Sequence, residues 1–84
     1  MQSQIVYLDN NATTRPAQEV VTAVIRTHET DWANPSSAHA FGQNTARTVA
    51  LSREQVARLI GVRAERVVFT SGATESNEAV LRHH

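Results

Sequence analysis

The sequence contains no cysteine, so no disulfide can staple the chain and no thiolate can hold zinc. Lysine is missing as well, and all eight basic side chains are arginines. Eight acidic residues balance them to a net charge of zero. Such a balance gives no electrostatic reason to expect a nucleic acid or an anionic membrane as partner. No apolar run approaches the roughly 20 residues that span a bilayer. Met1-Gln2-Ser3-Gln4 carries no basic region with an apolar stretch behind it, so no secretory signal is expected and the expected home is cytoplasmic. On that expectation the sequon Asn11-Ala12-Thr13 is accidental. A chain of 84 residues buries only about 60% of the surface its unfolded form exposes. Its core is expected to be marginal, and the isolated chain is expected to fold poorly.

What is present is a string of short elements. Ile5-Val6-Tyr7-Leu8 is rich in strand formers and ends in Asp9-Asn10-Asn11, which favour a turn. Thr14 is a candidate helix cap with Pro16 in the first turn, and Val20, Val21, Val24, Ile25 and His28 recur at helical spacing. A helix is expected from about Pro16 to Thr30. Asn34-Pro35-Ser36-Ser37 is turn chemistry, with Ser36 or Ser37 as the next cap. Ala46, Val49, Ala50, Val56, Ala57 and Ile60 form a second apolar stripe; Arg47, Arg53, Glu54 and Arg58 lie on its polar face, and Gly61 is the expected stop. Val67-Val68-Phe69-Thr70 is continuous and apolar, as in a strand buried on both faces. Ser71-Gly72 then turns into a third helix beginning near Ala73, with Thr74 and Ser76 as candidate caps. Helix, strand, turn and helix in that order open an α/β unit with a parallel sheet. The strand has at most one candidate neighbour in the chain, so the α/β domain is expected to be cut off after its first unit.

The best candidate for chemistry is Ser71-Gly72-Ala73-Thr74-Glu75. At a helix start the first N–H groups lack internal partners and carry partial positive charge. Gly72 removes a side chain from the approach, Ala73 is small, and Thr74 adds a hydroxyl donor. A phosphate can be held this way without lysine or arginine. The same pattern also serves as an ordinary cap with no ligand. Glu75 and Glu78 read as complements to the helix dipole rather than an acid–base pair. Asp9 to Thr14 is either an Asx-type turn ahead of a capped helix or a loop closing over a polar substrate. His28 reads as structural, and His39 stands beside the Asn-Pro-Ser-Ser loop. His83-His84 are either native helix residues or the remnant of a purification tag. No histidine pair has metal spacing with a third ligand.

Tyr7-Leu8-Asp9-Asn10-Asn11-Ala12-Thr13-Thr14 resembles the opening signature of the cysteine desulfurases, within the class V aminotransferase group of fold-type I pyridoxal-phosphate (PLP) enzymes. Asn34-Pro35-Ser36-Ser37-Ala38-His39 with Phe41-Gly42 is similar to the next landmark of that family. Val68-Phe69-Thr70-Ser71-Gly72-Ala73-Thr74-Glu75-Ser76-Asn77 is similar to the third. The three stand in the family's order and at its approximate spacing. The resemblance implies the amino-terminal part of a PLP-dependent transferase fold: residues 1–62 as an arm and helices, and 63–84 as the start of the PLP-binding domain. It implies that Ala73 and Thr74, with Gly72, hold the PLP phosphate, and that Asn10, Asn11, Ala12 and Thr13 lie near the substrate. It implies an activity converting L-cysteine to L-alanine, with the sulfur passed as a persulfide toward iron–sulfur cluster or thio-cofactor assembly. The implied partners are a homodimer mate and a sulfur-acceptor protein such as an iron–sulfur scaffold.

The departures bear on activity. The family anchors PLP covalently through a lysine and accepts sulfur on a cysteine, and this chain has neither. The Asp that pairs with the pyridine nitrogen and the Arg that holds the substrate carboxylate lie further along in family members. The expectation is therefore a fragment with no catalytic residue of its own and no activity alone. The alternatives are a non-catalytic short chain that pairs with a full-length relative or a separate carboxy-terminal half, and a segment of another class V enzyme such as a selenocysteine lyase.

Overall fold

The computed structural model describes residues 5–83. Met1 to Gln4, on which the signal-peptide reading rests, and His84 lie outside the described residues. The chain divides into two units between Trp32 and Ala33.

In the first unit, Ile5 to Leu8 are exposed and pair with no strand among the described residues. Tyr7 Oη donates to the Asp9 carbonyl at 2.9 Å, and the Ala12 N–H donates to the same carbonyl at 3.0 Å. This closes the turn that the Asp-Asn-Asn run predicts. Helix α1 runs Gln18–Thr30. Its N-cap is Ala17, which offers no side-chain acceptor, so Thr14 is not the cap. The reason lies in Pro16: a proline pushes the residue before it, here Arg15, out of the helical region, so the helix starts only beyond it. No residue of α1 is buried. The apolar stripe is where the spacing puts it, with Val20, Val24 and Ile25 about half exposed.

The second unit has side-chain ties that reach further along the chain. Asn34 folds Pro35–Ser37 around itself: its Oδ1 accepts the Ser36 N–H at 2.8 Å and its carbonyl accepts the Ser37 N–H at 3.0 Å. Helix α2, Ala40–Ile60, starts at His39, whose Nδ1 accepts the Gly42 N–H at 3.2 Å. Neither Ser36 nor Ser37 caps it. Ser37 instead packs against Gly42, where an added Cβ would fall 2.3 Å from the Ser37 carbonyl oxygen and 2.7 Å from that of Asn34. Gly42 is buried because the turn lies on it. At the other end Gly61 takes the left-handed conformation, φ 74°, and stops the helix as its position predicts. The Val62 N–H closes back on the Ala57 carbonyl at 2.9 Å.

A 3-10 turn, Ala64–Arg66, packs on α2 near Ala57, the buried hydrophobic side chain of the described residues. Val67 continues extended (φ −99°, ψ 126°), but Val67–Thr70 forms no strand. Val68 is 78% exposed rather than covered on both faces. A strand exists by its ladder, and no described segment supplies a partner. The strand unit of the α/β expectation is thus not formed among the described residues, which are helical with an extended segment where the buried strand was expected. Helix α3, Ala73–Arg82, begins at the predicted residue. Among the described residues no helix is long and apolar enough to cross a membrane.

Candidate functional site

The extended segment delivers the chain to α3 through Thr70-Ser71-Gly72, and this turn is fixed by hydroxyl groups. The Gly72 carbonyl accepts from the Ser76 N–H at 3.1 Å and from one of two hydroxyls beside it, Thr70 Oγ1 at 3.1 Å or Ser76 Oγ at 3.2 Å. Thr70 Oγ1 and Ser76 Oγ are themselves 2.6 Å apart. Ser76, expected as a possible cap, is used as a back-bonding residue one turn inside the helix. Thr74 is no cap either, since the N-cap is Gly72 and no side chain caps α3 there.

Ser71 and Glu75 form a second local clasp. Both the Ser71 N–H and its hydroxyl donate to Glu75 Oε1, each at 2.8 Å. The Ser71 N–H, and secondarily the Ser71 hydroxyl, hold the Glu75 carboxyl below its usual value. An ionised carboxylate in the first turn also complements the helix dipole. Glu78 pairs with Arg82 on the exposed face of α3.

These bonds leave a set of donors open. The N–H groups of Ala73 and Thr74 have no partner inside the helix by geometry. Among the described residues no hydrogen bond takes them or the Thr74 hydroxyl. Gly72, Ala73 and Thr74 are all exposed. Nothing local demands glycine at position 72: its φ of 168° is ordinary extended backbone, and an added Cβ would meet nothing within 4 Å. Two unclaimed backbone donors, a hydroxyl and a bare glycine suit a phosphate group, the handle by which PLP is gripped. The residues present therefore fit the phosphate end of that cofactor. They offer nothing for its aldehyde, since the chain has no lysine.

Asn10, Asn11, Ala12 and Thr13 come together in the Asp9 turn, and Tyr7, Asn10, Thr13, Thr14 and Arg15 line an open depression beside it. That turn belongs to the first unit and Gly72–Thr74 to the second. His39 serves the α2 N-terminus, its ring edge-on to Phe41 at 6.1 Å. Arg53 was legible only as one of several arginines on a polar face. In the structure its Nε donates to the Val67 carbonyl at 3.1 Å and its guanidinium lies 5.3 Å from the Phe69 ring centre. An arginine one helix upstream of an apolar run carries no distinctive spacing. Ser71 and Glu75 are four residues apart, one more than the Ser-x-x-Glu capping box, so that pattern does not announce the second clasp.

The aminotransferase class-V family profile matches residues 6–84, and the chain belongs to that family. It is 45% identical over 78 residues to a cysteine desulfurase of Trichormus azollae, covering 93% of this chain and 20% of that protein. It is 42% identical over 76 residues to a selenocysteine lyase of Xenopus laevis and 45% identical over 76 to that of Xenopus tropicalis, in each case covering 90% of this chain and 18% of the relative. The chain thus spans about a fifth of the length of the curated relatives it matches. No solved structure matches it significantly.

Proposed function

We propose that this chain is the amino-terminal segment of a PLP-dependent cysteine desulfurase, and that Gly72, Ala73 and Thr74 form the phosphate cradle of its cofactor. The observation that carries the reading is the near-complete coverage of this chain by desulfurase relatives at 45% identity. The open donors at the start of α3 agree with it. Bound PLP would supply the electron sink that carbon–sulfur bond cleavage needs, and the protein would supply grip and orientation. In this segment the N–H groups of Ala73 and Thr74 and the Thr74 hydroxyl take the phosphate, while bare Gly72 lets it approach. The Gly72 carbonyl, held by the Ser76 N–H and a neighbouring hydroxyl, keeps these donors in place, so little ordering remains to be done on binding. The Asn10–Thr13 turn contributes polar groups near the substrate. In the whole protein L-cysteine would leave as L-alanine and its sulfur would pass to a protein thiolate. A homodimer mate and a sulfur acceptor such as an iron–sulfur scaffold complete the proposal.

Selenocysteine lyase is the second reading, favoured by relatives of that name at comparable identity. Both readings share the cradle and differ in substrate. The test supplies the purified full gene product with PLP and then with L-cysteine or L-selenocysteine, following retained PLP by absorbance and alanine by chromatography. Alanine from L-cysteine supports the desulfurase, and alanine from L-selenocysteine alone selects the lyase. Retained PLP with no alanine from either sinks both. The 84-residue chain alone is expected to retain no PLP and to form no alanine.

A further inference from the structure

The cradle sits at the end of an extended segment that has no strand partner among the described residues. Within the described residues, a side chain of α2 fixes where that segment runs. The bonds inside the Thr70–Ser76 turn cannot do so, because they span at most six residues and move with it. Arg53 spans fourteen residues from the middle of α2. Its two holds differ in kind: Nε donates to the Val67 backbone, and the guanidinium faces the Phe69 ring. A single planar cation thus holds the backbone at Val67 and the side chain at Phe69, two unlike points of the segment, which sets both its path and its rotation about its own axis. Lysine cannot copy this, because its point charge has no second donor held in a fixed plane. Arg53 is half-buried, which limits competition from water for both contacts.

We infer that Arg53 is a positioning residue for the cradle, acting through Val67 and Phe69 on the Gly72–Thr74 donors. The inference rests on the phosphate reading of that turn, and the test separates the two. Hydrogen exchange is followed by mass spectrometry in the cofactor-free full gene product, with inorganic phosphate as the probe. In the wild type, phosphate is expected to slow exchange at the amides of Ala73 and Thr74. In R53Q, exchange across residues 68–76 should rise about tenfold, and the phosphate dissociation constant should rise by about the same factor, the size of a lost charge-assisted hydrogen bond. R53K should fall between R53Q and wild type, and R58Q, on the same helix but touching neither Val67 nor Phe69, should match wild type. Should R53Q fail to fold, F69L keeps the guanidinium–carbonyl bond and removes only the ring, and about a threefold rise is expected. If phosphate protects the wild type and R53Q or F69L binds it with unchanged affinity, the role of Arg53 is overturned. If phosphate protects nothing in the wild type, the cradle reading falls, and the inference falls with it.

Discussion

The two units of this chain are both helical, yet they are held in different ways. In residues 5–32 the side-chain hydrogen bonds of Tyr7, Gln18, Thr27 and Thr30 span two to four residues: Tyr7 to the Asp9 carbonyl, Gln18 to Thr22, Thr27 to the Ala23 carbonyl, Thr30 to the Arg26 carbonyl. Nothing in α1 is buried. In residues 33–83 an arginine reaches across fourteen residues, a turn lies on a buried glycine, and Ala57 and Thr45 leave the solvent. Local bonds suffice to make a helix and its caps. They do not fix one segment against another, and the candidate cradle stands in the unit that has longer ties. Helical propensity is thus a poor guide to which part of this sequence can preform a site.

The largest effect is expected from the absence of a core. With one hydrophobic side chain buried among the described residues, the isolated 84-residue chain should show no cooperative thermal transition by circular dichroism. A sharp, reversible transition would mean that the second unit is more self-sufficient than its burial indicates.

Gly42 supplies the next and most discriminating break. Helix propensity alone says that G42A stabilises α2 by about 1 kcal/mol. The structure says the opposite, because the new Cβ would fall 2.3 Å from a backbone oxygen. Overpacking against backbone costs about 1–3 kcal/mol, so a net loss is expected in denaturant unfolding of the full gene product. Hydrogen exchange should localise the loss to residues 34–45. A gain in stability would remove the close approach on which the contrast between the units rests.

Much of this was readable in advance, and what was not has physical causes. Gly61 as the stop of α2 and Ala73 as the start of α3 follow from backbone chemistry, which is local. The turn at Asp9–Ala12 follows in the same way. The caps went astray where two local rules competed: Thr14 is a good capping residue, but Pro16 pushes the start of α1 to Gln18. Ser36 and Ser37 are good caps too, but the turn they belong to is spent on Gly42, and His39 takes the role. The strand at Val67–Thr70 was a correct reading of composition, but composition cannot supply a ladder partner. At the candidate cradle, the open donors of Ala73 and Thr74 were legible because a helix start exposes its first N–H groups by geometry. Arg53 was not, because a fourteen-residue reach leaves no periodic mark.

Smaller effects sharpen the same contrast. G61A places a Cβ at φ 74° in open space, so its penalty is purely conformational, about 1 kcal/mol in the full gene product. Denaturant unfolding measures it, and a penalty well above that would reveal packing at the α2 terminus. V24S in the first unit should change the helicity of the 84-residue chain by no more than about 0.5 kcal/mol equivalent, since Val24 is already half exposed. A larger loss, read by circular dichroism, would show that the stripe on α1 is covered after all.

The smallest expected effect concerns Glu75, and it tests the donor turn by its pH dependence. The folded carboxyl titrates below its usual value because Ser71 donates to it, first through the backbone N–H and second through the hydroxyl. A depressed folded value means that the clasp contributes in full above the unfolded value. The contribution is lost as the pH falls through the lowered folded value. S71A removes the weaker donor only. It should move the Glu75 titration, followed by carbon-detected magnetic resonance of the side chain, part of the way back and leave the larger part of the depression in place. E75Q should abolish that acid-side dependence while leaving Ala73 and Thr74 free to take phosphate, since neither donor is bonded to Glu75. A full return of the titration in S71A would mean that the backbone donor contributes nothing and that the turn is looser than its hydrogen bonds describe.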